Sequence, residues 1–330
     1  MKKIITLLFS ILVIFNIVIF NITGCKKKEV IEEKPTVGIA KLLAHTALDT
    51  IEKGIEDELK ERGIDVLYDK QNANADMNIA NSIANKYKFN KTDISIGIGT
   101  PIAIALANVI KDKPVIFAAI TDPVAVGLVP SATESAPNVT GVSDAVNMEL
   151  QLKNFRRIKD FKSLGLIYTI SEDNSIVMKK KLDVITKKLG ITLHARGITH
   201  QTELNAAAQI LAAKVDAFYV ITDNVVCSAL SAITNAAKAN KIPVFSQDPL
   251  STMKFGGVLY ASGFDYYKAG RMVGVQVAEI LGGKKTSEIP PKYMNSIEET
   301  QTVVDVDVAS YLGITIPEDL VNKDTIYLKK

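Results

Sequence analysis

PVIFAAITDPVAVGLVPSATESAPNVTGVSD, residues 114–144, is the stretch whose reading decides the fold. Val115 to Ile120 is apolar on every face, the pattern of a parallel strand covered by helices on both sides. The strand breaks into Thr121-Asp122-Pro123, then an irregular Pro- and Ser-bearing passage, and Asn138 to Ser143 returns to a β-like pattern. In open α/β sheets ligands lie outside the carboxyl ends of the strands, so Thr121 and Asp122 fall at a candidate site. Beyond Asp144 a second α/β unit begins, which makes this stretch a candidate crossing between two lobes.

Working outward, strand and helix patterns alternate. Before the stretch come strands at Thr36–Lys41, Asp65–Tyr68 and Ile94–Ile98. The helices between and after them are marked by Leu48, Ile51, Ile55 and Leu59, by Met77–Tyr87 and by Ile102–Ile110. After it, strands at Leu164–Ile170, Ile191–Ala195, Val215–Ile221 and Val244–Ser246 alternate with helices. These are Glu149–Phe161, a helix carrying Met178, Leu182, Ile185 and Leu189, Glu203–Ala213 and Ser228–Asn240. This order calls for doubly wound parallel sheets in two lobes with a cleft between them, an α/β fold. The tail adds strand Val258–Ala261, helix Tyr266–Leu281 ended by Gly282-Gly283, and strand Thr302–Val306.

The first residues carry an address. Lys2 and Lys3 precede an apolar run from Ile4 to Phe20, and Ile22-Thr23-Gly24 closes it with small residues before Cys25. Residues 1–24 read as a secretory signal, with an uncleaved anchor as the alternative; the apolar run is slightly short to span a bilayer. Residues 25–35, charged and ending in Pro35, read as a tether. The mature chain is nearly neutral, since loss of Lys2 and Lys3 takes the net charge from +3 to +1. No basic patch stands out, which argues against a nucleic-acid partner. Cys227 has no mate for a disulfide and reads as a small buried hydrophobe.

Two kinds of group gather at the strand ends. Thr100, as an N-cap followed by Pro101, and Ser171 to Ser175 open helices whose free N–H groups favour an anion. Asp122, Asp223 and Asp248 each follow an apolar strand. No Arg or Lys occurs in these strand-end motifs, and clustered carboxylates repel unless a cation sits among them. A zwitterion suits both features: its carboxylate on a helix N-terminus and its ammonium among the aspartates. For any single residue, capping its own loop is the simpler role.

The motifs Ile120–Asp144, HTALD (45–49), GTP (99–101), YTISEDNS (168–175), VITDN (220–224) and GFDYY (263–267) resemble, in order, the ABC-transporter substrate-binding protein family that includes tryptophan- and other aromatic-amino-acid-binding lipoproteins. The resemblance covers nearly the whole mature chain. It implies a type I periplasmic-binding-protein fold with three crossings, and a helix after Gly263 that returns to the first lobe. Lobe 1 is then 36–144 plus about 263–284, and lobe 2 is 145–262 plus about 285–330. It implies a monomeric receptor without cofactor or metal, exported and held on the cell membrane by lipid on Cys25, handing its ligand to an ABC permease. Carried over by motif, the ligand contacts are Thr100, Thr121, Asp122, Ser143, Asn174, Ser175, Asp223, Asn224 and Asp248. Ala44 and Thr46 depart from the family's acidic residue and proline around His45. The chain lacks Trp, so an aromatic ligand would meet Tyr, Phe or aliphatic side chains.

Other chemistries are poorly supported. GIGTPI (97–102) has Ile102 where a dinucleotide fingerprint needs glycine, and no Walker loop or Gly-x-Ser-x-Gly elbow is present. His45, His194 and His200 lack metal-ligand spacing, His45 reading as a loop residue. Lys179 to Lys181 read as the wet face of a helix. An amino-acid receptor is therefore expected. A sugar or nucleoside receptor of the same fold, or an exported hydrolase with paired aspartates, is the alternative.

Overall fold

The computed structural model describes residues 33–294 and 299–329; the expected signal sequence, residues 1–24, and Cys25 lie outside them. Among the described residues no helix is long and apolar enough to cross a membrane. Residues 35–330 form one compact unit.

That unit holds two sheets. The first contains β1 (Thr36–Lys41), β2 (Leu67–Asn72), β3 (Ile94–Ile98), β4 (Val115–Ala118), β5 (Val139–Ser143) and β11 (Lys292–Tyr293), in the order β11-β5-β4-β3-β1-β2, all parallel. The second contains β6 (Ser163–Thr169), β7 (Thr192–Ile198), β8 (Ala217–Val220), β9 (Val244–Ser246), β10 (Tyr260–Phe264), β12 (Thr300–Asp305) and β13 (Ile326–Leu328), in the order β13-β12-β10-β9-β8-β6-β7. Only β10 and β12 run antiparallel. Parallel pairing follows from the helical crossovers that join successive strands. The apolar strands β3, β4, β5, β8 and β9 are buried throughout. Because both sheets are parallel, their carboxyl edges can face one another, and the site lies there.

Several elements differ from the sequence expectation. β4 ends at Ala118, because Ala119 takes a left-handed backbone (φ 54°) before the chain rejoins β5 through Ile120 N–H to Val142 O. The expected helix from Ser228 is two pieces, Asn224–Ser228 and Ser231–Asn240, and a further helix, Pro249–Phe255, follows β9. Lys292–Tyr293, placed with the second lobe by sequence, hydrogen-bonds beside β5 in the first sheet. Two residues carry no periodicity to read.

The chain passes between the sheets three times: after β5, after β10 and before β12. The second passage is anchored by a close crossing of helices. Helix Tyr266–Leu281 buries Ala269, Val273 and Val277 in the first core, against helix Thr46–Glu61. Their backbones touch at glycines: a Cβ on Gly270 would stand 2.2 Å from Ile51 O, and one on Gly54 2.4 Å from Tyr267 O. Arg271 braces the crossing from the side through Glu58 and Glu61. Gly270→Ala must push two backbones apart, so we expect it to lower stability by about 1–3 kcal/mol in urea titration. An unchanged midpoint would mean that the helices slide freely.

Candidate functional site

Where the two carboxyl edges meet, a cleft of about 340 Å³, counted out to solvent, is lined by His45, Leu48, Thr100, Ala119, Thr121 and Asp144 from the first lobe, and by Asn174, Thr222, Asp223, Asn224, Cys227 and Asp248 from the second. Tyr266, on the returning helix, completes the wall together with Ala47. Three of these residues are aspartates and none is Lys or Arg. The lining therefore favours a cation.

Each side chain is set by the end of its element. Gly99 caps helix Thr100–Val109 at φ 99°, a backbone that favours glycine, and supplies no side-chain cap. Thr100 and Pro101 follow as its first helical residues, so the helix begins one residue earlier than the sequence suggested and Thr100 is not its cap; the uncapped amide end borders the cleft. The left-handed Ala119 lies beside it. Such backbone strain at a functional site is commonly retained because it places a group.

Asp144 closes β5 and is 3 % exposed. One of its carboxylate oxygens, Oδ1, has no hydrogen-bond partner. Burial pushes its pKa up to about 6, with the charge of Asp248 adding to the rise and the Thr121 hydroxyl opposing it. Across the cleft, Asn174 donates its amide to Thr222 O at 2.9 Å, and its own Oδ1 is likewise buried and unpartnered. Buried acceptors are nearly always satisfied. Two orphan acceptors, one on each lobe, thus border the cleft with hydrogen-bonding capacity left over.

Asp223 differs, although it is fully buried and lines the same cleft. Its Oδ1 receives the Thr169 hydroxyl at 2.8 Å and Val226 N–H at 2.9 Å; its Oδ2 receives Thr169 N–H at 2.5 Å and the Ser175 hydroxyl at 2.8 Å. Four donors of its own lobe occupy it, so an ammonium contact does not suit this residue. Asp248 is the cap of helix Pro249–Phe255, accepting the N–H and hydroxyl of Ser251. Glu172 lies behind, accepting from Asn224 Nδ2 at 2.6 Å and from Val225 N–H at 3.1 Å. Burial and then the charge of Asp223 push the Glu172 pKa up, and burial pushes Asp223 up too.

Three contacts join the lobes across the cleft. His45 caps helix Thr46–Glu61, its Nδ1 accepting Ala47 N–H at 3.3 Å. That leaves the proton on Nε2, which donates to Asn224 Oδ1 at 3.3 Å. Burial depresses the His45 pKa and keeps the ring neutral. The hydroxyls of Thr121 and Thr222 lie 3.2 Å apart, and Asp122 pairs with Lys181.

Of the nine residues expected from sequence, Thr100, Thr121, Asn174, Asp223, Asn224 and Asp248 line the cleft, and Asp122, Ser143 and Ser175 do not. Asp122 turns to Lys181, a residue expected on a wet helix face, and so does have a cationic partner. Ser143 accepts Ala145 N–H at 3.2 Å, and Ser175 is taken up by Asp223. Sequence reasoning missed His45, Asp144, Thr222 and Tyr266. Asp144 follows an apolar strand just as Asp122 does, and the same strand-end rule applies to it. Cys227 is buried as expected, and it also borders the cleft.

A family profile described as ABC transporter substrate binding protein matches residues 36–326. A tyrosine-binding protein of Clostridioides difficile is 33% identical over 299 residues, covering 89% of this chain and 85% of its own. The ABC domain from Streptococcus pneumonia in complex with L-Trp superimposes with a TM-score of 0.83 at 29% identity, covering 89% of this chain and 100% of its own. A ligand-free, open substrate binding protein with adhesive properties from Clostridium difficile gives 0.67 at 33% identity, with 89% and 99% covered. The less identical of these two structures gives the higher TM-score.

Proposed function

Because this chain belongs to the ABC transporter substrate-binding protein family, with its type I periplasmic-binding fold, we propose that its cleft receives a free amino acid, an aromatic one preferred. The pair of unpartnered acceptors, Asp144 Oδ1 and Asn174 Oδ1, carries this reading. An ammonium offers three donors and a positive charge to two buried acceptors, one of them a carboxylate. The uncapped amide end at Thr100 suits the carboxylate of the same ligand. Tyr266 and Leu48 offer an aromatic and an aliphatic surface to its side chain. Relatives that bind tyrosine and L-Trp support the choice of an aromatic amino acid. In this reading the chain is exported, held to the membrane through lipid on Cys25, and delivers its ligand to a permease. The reading is binding without turnover: the Cys227 thiol, the nucleophilic side chain of the cleft beside Asp248, is pushed far up by burial and stays protonated.

Calorimetry of the purified protein against amino acids, sugars and nucleosides tests the reading. Tyrosine, tryptophan or phenylalanine should bind one to one, and binding of sugars alone would overturn it. The pH profile gives a second check. Asp144 must be ionised to meet an ammonium, and its pKa in the ligand-free cleft is about 6. Below that pH binding must displace a proton, so affinity should fall about tenfold per unit and stay flat between pH 7 and 8. A profile flat down to pH 5 would remove Asp144 from the ligand.

A further inference from the structure

The cleft does not end at His45. A second space of about 850 Å³, counted out to solvent, lies between the lobes. Asn72 and Asn74 of the first lobe line it, with Ser171, Thr199, Gln201 and Ser228 of the second. No Asp, Glu, Lys or Arg is among the residues lining it, and His200 is its one titratable group. The two spaces share a wall. Ala44 borders the outer one and His45 the inner; Val225 borders the outer and Asn224 the inner. The two linings thus adjoin at Ala44-His45 and at Asn224-Val225, and the His45–Asn224 hydrogen bond found there is, at 3.3 Å, a long one that two neutral side chains can give up.

We propose that this outer space is a second subsite of the same cleft, taking the end of a ligand side chain that runs past His45. The ligand class is then α-amino acids whose side chains reach further than that of tyrosine and end in uncharged hydrogen-bonding groups, such as an amide or a sugar cap. This rests on the amino-acid reading, which keeps both charges of the ligand in the inner cleft, at Asp144, Asn174 and the Thr100 amide end. A third charge would be poorly served outside. The outer lining offers an anion no Lys or Arg and a cation no carboxylate, so burying either would go uncompensated. Hydroxyls and amides would instead find amide and hydroxyl partners on both lobes.

Calorimetry with L-tyrosine, its O-glucoside and O-phospho-L-tyrosine decides this. The glucoside should bind within about tenfold of tyrosine, and the phosphorylated analogue at least about 100-fold more weakly. The double variant Thr199→Val, Gln201→Ala should then lose about tenfold for the glucoside and leave tyrosine unaffected. A glucoside that fails to bind where tyrosine does would overturn the proposal, as would a variant that weakens both ligands alike. If none of the three binds, the amino-acid reading falls and the second subsite with it.

Discussion

Asp144→Asn should bind the amino acid at least about 30-fold more weakly than the parent, and yet unfold at a higher urea concentration when ligand-free at pH 7. The first effect follows from removing one partner of a buried charge pair, which typically costs 2–5 kcal/mol in binding, or about 30-fold and upward. The second follows from the same burial seen without ligand. Folding raises the Asp144 pKa from 3.8 to about 6. Across that window the folded chain holds the proton more tightly than the unfolded one, so stability falls as pH rises from about 4 to 6 and stays reduced above it. A rise of two units corresponds to about 3 kcal/mol, and asparagine, which never ionises, recovers about 1–3 kcal/mol of it at pH 7. Below pH 4 the two proteins should converge. The variant should also lose the acid limb of the binding profile, which separates Asp144 from His45 as its cause. A variant that binds normally would move the ammonium elsewhere, and one that is less stable at pH 7 would mean that the hydrogen bond from Thr121 outweighs the cost of burying the charge.

Much of this was legible in the sequence, for a physical reason. A strand covered on both faces is largely apolar, so β3, β4 and β8 announce themselves, while β5, with Thr140 and Ser143, shows only a β-like return of the pattern. Once the sheets are known to be parallel, their carboxyl edges are known too, and six expected residues do line the cleft. What could not be read is which partner each polar group finds. Asp122 meets Lys181, 59 residues away, across the lobes. Asp223 and Asp248 are both caps, as Thr-Asp-Asn and Gln-Asp-Pro suggest, and both border the cleft; capping and ligand contact use the same residue type in the same place. Asp144 carries its unpartnered oxygen in a cleft that it shares with the left-handed Ala119 and that residues of the second lobe complete. Neither feature leaves a pattern in the chain. The crossing at Gly54 and Gly270 is similar, since small residues at helical spacing do not reveal what they touch.

Asp223 supplies the opposite test, because its carboxylate is spoken for within the second lobe. Asp223→Ala would strip acceptors from Thr169 N–H, the Thr169 and Ser175 hydroxyls and Val226 N–H, all in a site that excludes water. Each stranded donor costs about 1–3 kcal/mol, partly recovered as Glu172 loses a repelling neighbour. We therefore expect a loss of about 3–5 kcal/mol, which urea titration followed by circular dichroism would detect as a lower midpoint or as loss of the second lobe. Asp223→Asn keeps two acceptor positions on one oxygen and presents an NH₂ to donors, so it should fall between. The contrast with Asp144 is in sign. One aspartate is held by its own lobe, and its removal should weaken the fold whether or not ligand is present. The other is strained without ligand, and its neutralisation should strengthen the empty protein and cripple binding. Should Asp223→Ala instead fold normally and lose ligand, the roles of the two carboxylates would have to be exchanged. The zwitterion would then sit deeper in the second lobe, against Thr169 and Ser175.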